Sequence, residues 1–536
     1  MSTSRWALAV ALVLALGCAA AVARWWAGQE AVRILAERDI TWHTREDSFS
    51  AIELTGIAGP GLSARAVQVS LLPTPYVVVE APVVDLDVLR ANARATGTAQ
   101  ATRSTRRSTD RLLPTVEVRN LEVRWGEDAI VEGWRGTLLP QVQLSGPGGQ
   151  VERTLTGGWS GSLRHPLNVG PLSGTATVTA ECATDCTIHI DMPEAVIEHP
   201  MVAAAPLPPA PFKAALDWSD GAIDGTLQLG ELQVAVQGTI QVEPTRAANL
   251  TIELPDTPLE AVVGLFGDLI PEARRARMVG TVGATGTWSW PDQTWSLVPR
   301  MDGLGVEDVL TDLDGLRSGT ISWAVLDPSG VPRVRRTGPS VAGFVPFQAA
   351  GLFPAAVLAA EDSGFSRHNG VDLVAIQAAL DDAREHGTSG MRGGSTITQQ
   401  VAKNLFLETR ERTLVRKLRE LLYALELDRV VPKQRILELY INVVELGEDL
   451  YGVGPAASAY FLKRPARLTA NEVAFLAALL PAPRSRGQRA WQGGRPPRAR
   501  MNVILDNMRD LGRISPVEAA EAKRTTLRLV PPPKSP

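Results

Sequence analysis

The sequence predicts a multidomain chain with an N-terminal transmembrane helix, a long antiparallel β-rich middle region and an all-α C-terminal domain. Three observations predict it. An apolar run of roughly 18 uncharged residues, near the lower limit for crossing a bilayer, lies close to the start. From about Ile40 to Trp323, apolar and polar residues alternate with period two. From Phe353 to about Leu511 the apolar period becomes that of a helix. With 536 residues, 45% hydrophobic and 21% charged, the chain can bury more than one core. A formal net charge of −4 and sparse aromatics give no signature of nucleic-acid binding.

The apolar run WALAVALVLALGCAAAVA spans Trp6 to Ala23, with Arg5 before it and Arg24, Trp25 and Trp26 after it. Paired tryptophans suit the headgroup layer, which takes the ring while water takes the N–H. Residues 1–27 therefore read as an anchor that exports the rest of the chain. A cleaved signal, or a lipidated one using Cys18, is the competing reading. The segment GQEAVRILAERD that follows is a short helical candidate.

Residues 28–335 form the β-rich region. Segments such as ARAVQVSLL, TVEVRNLEVRW and GTLQLGELQVAVQGTIQV alternate between breaks of Gly, Pro, Asn and Asp, as half-buried antiparallel strands do. The polar, basic stretch Ala93 to Arg111 reads as an exposed loop, and PLPPAP (Pro206 to Pro211) as a break. Cys182 and Cys186, in ECATDC between two strand-like runs, read as a disulfide across a turn in an oxidising compartment. Free thiols or a metal pair are the alternatives, although two thiols without partners make a poor zinc site. The region carries no catalytic constellation. It is expected to act as a spacer or interaction domain, or to hold a lipid-binding groove.

Residues 336–536 form the helical domain. Helices are expected at Asp372 to Ala383, Ser395 to Leu405, Thr413 to Val430 and Gln434 to Leu446. Leu414, Leu418, Leu421, Leu422 and Leu425 make the apolar stripe of the third. Ile436, Leu439, Tyr440, Val443 and Val444 make that of the fourth. A fifth begins at TANE, where Thr469 and Glu472 have capping-box spacing.

The polar residues of this domain fall in a few places. Glu361 and Asp362 end an apolar helix, and Phe365 and His368 follow at spacings that fold back over them. GGSTITQQVAKN brings Ser395, Thr396, Gln399, Gln400 and Lys403, with Thr396, Gln400 and Lys403 on one helical face. VRKLRE places Arg416 and Glu420 four apart, with Lys417 beside them. A carboxylate can take a proton from a sugar hydroxyl, and cations can stabilise a departing pyrophosphate. The plainer reading is an ordinary i,i+4 ion pair and a capped helix start.

Recognition favours the chemical reading. EDSGFSRHNGVD, GGSTITQQVAKN, RKLRELLYALELD, KQRILELYINVVELG and YGVGPAASAYFLKRPARLTANEVAFLAALLPAP occur in order. Together they resemble the five motifs of the peptidoglycan glycosyltransferases that polymerise lipid II, especially the monofunctional type. The resemblance covers about Phe344 to Leu511. It implies a lysozyme-like helical head with a smaller, membrane-facing lobe. It implies Glu361 as general base toward the acceptor's 4-hydroxyl. Glu420 would orient the donor and its pyrophosphate, with a divalent ion such as Mg or Mn as an option and no organic cofactor. Lys403, Arg416 and Lys417 would hold pyrophosphate, and Ser395, Thr396, Gln399 and Gln400 would line the cleft. Asp362, Phe365 and His368 would shape the pocket, His368 mainly as structure. The implied partners are lipid II, the growing lipid-linked glycan, the inner membrane and other cell-wall synthesis proteins, with the bulk of the chain in the periplasm.

Two positions depart from the family pattern. Leu462 stands where Gly is usual, which matters if that turn needs a positive φ. Ala378 stands where Lys or Arg is common. No Ser-x-x-Lys or Lys-Thr-Gly is present, so no transpeptidase domain is expected; HExxH and a Walker phosphate loop are also absent. The basic stretch RSRGQRAWQGGRPPRARM is either a solvated segment or a contact for anionic headgroups or substrate phosphate. Separately, residues 53–89 of the middle region resemble, in texture, the AsmA-like periplasmic β proteins.

Overall fold

The computed structural model describes residues 41–47, 51–59, 62–70, 76–85, 115–125, 128–139, 141–153, 158–241, 247–308, 310, 313–326, 331–386, 393–407, 411 and 413–530. The apolar run Trp6 to Ala23, the helical candidate at 28–39 and the basic loop Ala93 to Arg111 lie outside these residues. Among the described residues no helix is long and apolar enough to cross a membrane.

The chain divides into two compact units. The first takes residues from 1–195, 211–229 and 236–248 and is built of strands. Trp159–Val169 and Leu172–Cys182 pair antiparallel from Trp159↔Cys182 to Val169↔Leu172. Alternation places one side of each strand inward: Val77, Val84, Val118, Trp134, Leu138 and Leu144 share an apolar cluster. Ala176, Met192 and Ala195 form another. Cys182 and Cys186 are bonded to each other across the turn between neighbouring strands. Two pairings depart from the antiparallel expectation: Tyr76–Glu80 and Val83–Asp85 both run parallel to Thr115–Trp125. A parallel pair needs a long connection, and residues 86–114 supply the length. A cleft of about 350 Å³ on this unit is lined by polar side chains, among them Gln150, Glu152, Glu181 and His189.

The second unit comprises residues 196–210, 230–235 and 249–536. The packing boundary therefore does not fall at residue 335, where the composition changes. Strands Met278–Trp290 and Thr294–Val306, with the short helix α1 (Leu259–Gly264), belong with the helices. The reason is a shared core. Leu259, Val263, Phe266, Ile270 and Val306 are buried in the same cluster as Phe353, Val357, Ile397 and Leu422. Periodicity reports the type of element, not which core its apolar face joins.

After α2 (Leu313–Ser318) come α3 (Phe353–Glu361), α4 (Leu373–His386), α5 (Ile397–Phe406), α6 (Leu414–Val430) and α7 (Lys433–Val443). Then follow α8 (Val453–Phe461), α9 (Ala470–Leu479), α10 (Pro483–Gly493), α11 (Arg498–Asp510) and α12 (Pro516–Arg524). Local chemistry sets their ends. Thr396 with Gln399 caps α5 and Thr469 with Glu472 caps α9, each a reciprocal capping box. Pro354 sits in the first turn of α3, where its missing N–H costs nothing. The expected stripe of α7 is buried throughout. That of α6 is buried from Leu421 onward, while Leu414 at its start is exposed.

Candidate active site

Glu361 is the last residue of α3, and its side chain is only 15% exposed. Gln400 Nε2 on α5 donates to Glu361 Oε2 at 3.1 Å, and Arg500 Nη2 on α11 donates to Oε1 at 2.9 Å. Tyr440, fully buried on α7, donates its hydroxyl to Gln400 Oε1 at 3.0 Å, which turns the amide so that its NH₂ faces the carboxylate. Burial pushes the Glu361 carboxyl above the ordinary glutamate range; Gln400, Arg500 and Lys403 oppose this without cancelling it. A carboxylate so placed has a raised proton affinity, as a general base requires.

Asp362 does different work. It ends α3 in a non-helical conformation and accepts the Ile397 N–H at 2.9 Å, an anion at the N-terminus of α5. His368 Nε2 lies 3.1 Å from the same carboxylate. Phe365 is buried, with the His368 ring at its edge and Lys433 Nζ 4.5 Å over its face. Lys433 also donates to His368 O at 2.8 Å. These three residues tie the end of α3 to α5 and α7. Thr396 and Gln399 are likewise buried; Thr396 Oγ1 and Gln399 Oε1 serve the cap of α5, and Thr396 Oγ1 also donates to Gly370 O.

The second carboxylate, Glu420, is buried on α6. Arg416 Nη1 pairs with its Oε1, and Lys417 Nζ lies 3.0 Å from Oε2. Lys417 also donates to Ser395 Oγ at 2.6 Å. The i,i+4 pair expected from spacing thus exists, but not as an exposed helix pair worth a few tenths of a kcal/mol. Arg416 Nε is buried without a partner. Among the described residues no hydrogen bond or ion pair neutralises Lys403. Burial lowers its pKa and the neighbouring cations add to this, while Glu420 and Glu361 hold it up through space. Three cations gather on one acid, an excess of positive charge that serves an anionic ligand better than it serves folding.

At Glu420 a divalent ion would compete with the cations already bound there. Both Glu420 oxygens are held by cations. Asp362, His368 and Asp372 bring possible ligand atoms within 4.8 Å of one another. Yet Asp362 is committed to His368 and the Ile397 N–H, and Asp372 Oδ1 accepts the Ala375 N–H at 3.0 Å. Hard cations need oxygens free to coordinate.

The arginine at Glu361 was the least expected feature. Arg500 lies in the basic stretch that the sequence left open between solvated segment and anion contact. With Arg486, Arg489, Arg495 and Arg498 it lines a cleft of about 860 Å³. Burial lowers the Arg486 pKa, and Arg500 and Arg489 push the same way. A smaller cleft of about 340 Å³ opens on Lys403 and Asn404, with Trp323, Tyr451 and Arg484 in its wall. Sequence also missed Tyr440 as the residue that orients Gln400. It appeared only as part of an apolar stripe, and its hydroxyl gave no signal.

At Leu462 the backbone is left-handed, with φ 52° and ψ 35°, at the C-terminus of α8. The turn that glycine would ease is therefore kept by a leucine. Ala378 is exposed on α4, and nothing in the structure accounts for its departure from the family pattern.

The scaffold of the site is mainly helical rather than all-α, since strands such as Met278–Trp290 and Thr294–Val306 share its unit, and it sets buried carboxylates beside cationic groups. Residues 347–509 match the family model Transglycosylase. The chain is 48% identical over 162 residues to a biosynthetic peptidoglycan transglycosylase of Shewanella amazonensis, covering 29% of this chain and 62% of that protein. It is 49% identical over 132 residues to the protein of the same name from Bordetella pertussis, covering 24% and 54%. Penicillin-binding protein 1A of Aquifex aeolicus is 45% identical over 173 residues, 31% of this chain and 22% of that one. The chain thus spans less than two thirds of the length of each of these relatives.

Proposed function

We propose that the chain is a peptidoglycan glycosyltransferase that polymerises lipid II into β-1,4-linked glycan strands and releases undecaprenyl diphosphate, in cell-wall biogenesis. The observation that carries this reading is Glu361, buried and hydrogen-bonded by Gln400 and Arg500, with the charge of Lys403 acting on it through space. Two lipid-linked pyrophosphates must meet in this reaction. Lys403, Arg416 and Lys417 hold the donor's, with Glu420 fixing Arg416 and Lys417 in place. The arginine cleft beyond Arg500 holds the acceptor's. Glu361 takes the proton of the acceptor's 4-hydroxyl as that oxygen attacks the donor's anomeric carbon. The bond from that carbon to the pyrophosphate breaks, the cations take up the charge, and the α-linked donor becomes a β linkage. Ser395 and Gln400 border the reacting groups, while Thr396 and Gln399 hold the start of α5.

In this reading residues 1–27 anchor the chain in the inner membrane by a single pass, and the rest lies in the periplasm. The lysozyme-like head meets its substrate at the bilayer surface. The AsmA-like β-rich region serves as a spacer or binding domain that other cell-wall synthesis proteins can use. No organic cofactor enters the reaction.

The test is incubation of the purified full chain with lipid II, followed by sizing of the glycan. Growth to long strands supports the reading. Shortening of added glycan strands, without growth, would make the domain a hydrolase instead.

A further inference from the structure

The strands Met278–Trp290 and Thr294–Val306 form a hairpin with two unlike faces. Their register sets Gly286 opposite Leu297 and Trp288 opposite Trp295. With a period of two, Gly286, Trp288, Trp290, Trp295 and Leu297 share one face. The other face carries Thr285, Thr287, Ser289, Thr294 and Ser296, with Val298 and Arg300. Its polar groups bond to one another: Thr287 Oγ1 and Ser296 Oγ lie 2.7 Å apart, and Arg300 Nη1 donates to Thr285 Oγ1 at 2.8 Å. The neighbouring strand Ala247–Pro258 extends this division. Asn249 accepts from Ser289 Oγ at 2.7 Å on the polar face, so alternation puts Leu250 and Ile252 on the apolar one.

That apolar face is not covered at its outer end. Ile252, Trp288, Trp290, Trp295 and Leu297 are each between 36% and 41% exposed. Nearer its base the same face reaches Val282, which packs on the core of the unit. Beside the face runs α4. Gln377 Nε2 donates to Leu297 O at 3.4 Å, and Val374, one turn earlier, is 80% exposed. The opposite side of α4 abuts Gly394, next to Ser395 of the candidate site.

We propose that this face seats in the interfacial layer of a lipid bilayer. Three features select that occupant. First, the outer end of the face is mainly apolar, made by Ile252, Leu297 and three indole rings. Second, among the described residues the indole N–H groups of Trp288, Trp290 and Trp295 have no hydrogen-bond partner. A dry contact with a second copy would leave them unpaired, whereas the headgroup layer takes the ring and hydrates the N–H. Third, the uncharged run Trp6 to Ala23, outside the described residues, reads as a tether of the same chain to a bilayer. The proposal rests on the lipid-linked substrate of the preceding reading for its purpose: α4 joins the seated hairpin to the cleft, so the site would open where the substrate's lipid emerges.

The full chain, reconstituted in phosphatidylcholine vesicles with brominated acyl chains, provides the test. Tryptophan emission is compared between wild type and the triple variant Trp288→Phe, Trp290→Phe, Trp295→Phe, whose fold is checked by circular dichroism. Seated indoles are quenched in wild type, so the quenchable fraction falls in the variant. If that fraction stays constant or rises, the three rings lie in water and the proposal fails. Self-association in detergent that the triple variant abolishes, with no change in quenching, would assign the face to a second copy instead. Should lipid II polymerisation be absent while the quenching difference is present, the activity falls and the lipid seat stands.

Discussion

Glu361 owes its character to opposing effects on one carboxylate. Burial raises its proton affinity, and Gln400, Arg500 and Lys403 restrain the rise. Arg500→Gln removes one restraint, so the acid limb of the kcat/KM profile should move to higher pH. An Arg500 that only bound substrate would lower kcat/KM without moving that limb. Leu462 gives a second residue-scale prediction. A left-handed leucine costs about 1–2 kcal/mol relative to the right-handed form, a cost glycine does not carry. The side chain is 76% exposed and has little packing to lose. Leu462→Gly should therefore stabilise the chain by about 1 kcal/mol after the entropy cost of glycine in the unfolded chain, seen as a raised Tm. At this scale the sequence was informative where chemistry clusters along the chain. Glu361, Gln400, Lys403, Arg416, Lys417 and Glu420 do come together. It was silent on Arg500, which lies 139 residues from its partner. An arginine-rich stretch has the same composition whether it faces water or a carboxylate.

Elements were readable where their ends are written in local residues. The capping box at Thr469 and the buried stripe of α7 follow directly from spacing. What spacing could not give is the support of α6, the helix of Arg416 and Glu420, by a segment of the β-rich region. Glu272, in the turn Pro271–Arg274, is almost fully buried and takes three hydrogen bonds of 2.7–3.0 Å from Arg419. Tyr423 donates to it at 3.0 Å, and burial beside that acid lifts the phenol to about 12. Burial alone would raise the Glu272 pKa, but Arg419, a backbone N–H and Tyr423 together bring it below the usual value of 4.5. A carboxylate with a depressed folded pKa stabilises above its unfolded pKa and loses that contribution as pH falls through the folded value. Glu272→Gln should thus cost about 1–3 kcal/mol at neutral pH by weakening bonds to buried donors. The difference from wild type should shrink below pH 4.5, as denaturant unfolding at both pH values would show.

For the molecule as a whole, texture separated strands from helices but not one packing unit from the other. Residues 249–306 alternate like the strands before them, yet their apolar side chains complete the core around α3, α5 and α6. This gives the segment a role beyond spacing, and Glu272 and the tryptophan hairpin are its two points of consequence. Deleting it should unfold the helical region rather than release a free catalytic head, which proteolysis of the deleted chain would reveal as lost protection. The proposed role of the buried Glu361 carboxylate is to drive glycan growth. It is tested most directly by the rate of lipid II polymerisation by wild type and by Glu361→Gln, matched for fold by circular dichroism. Long glycan strands are expected from wild type, with a loss of about 10²–10⁴-fold in the variant, the usual worth of a positioned base. Equal rates from the two proteins, or no polymer from wild type, would contradict it.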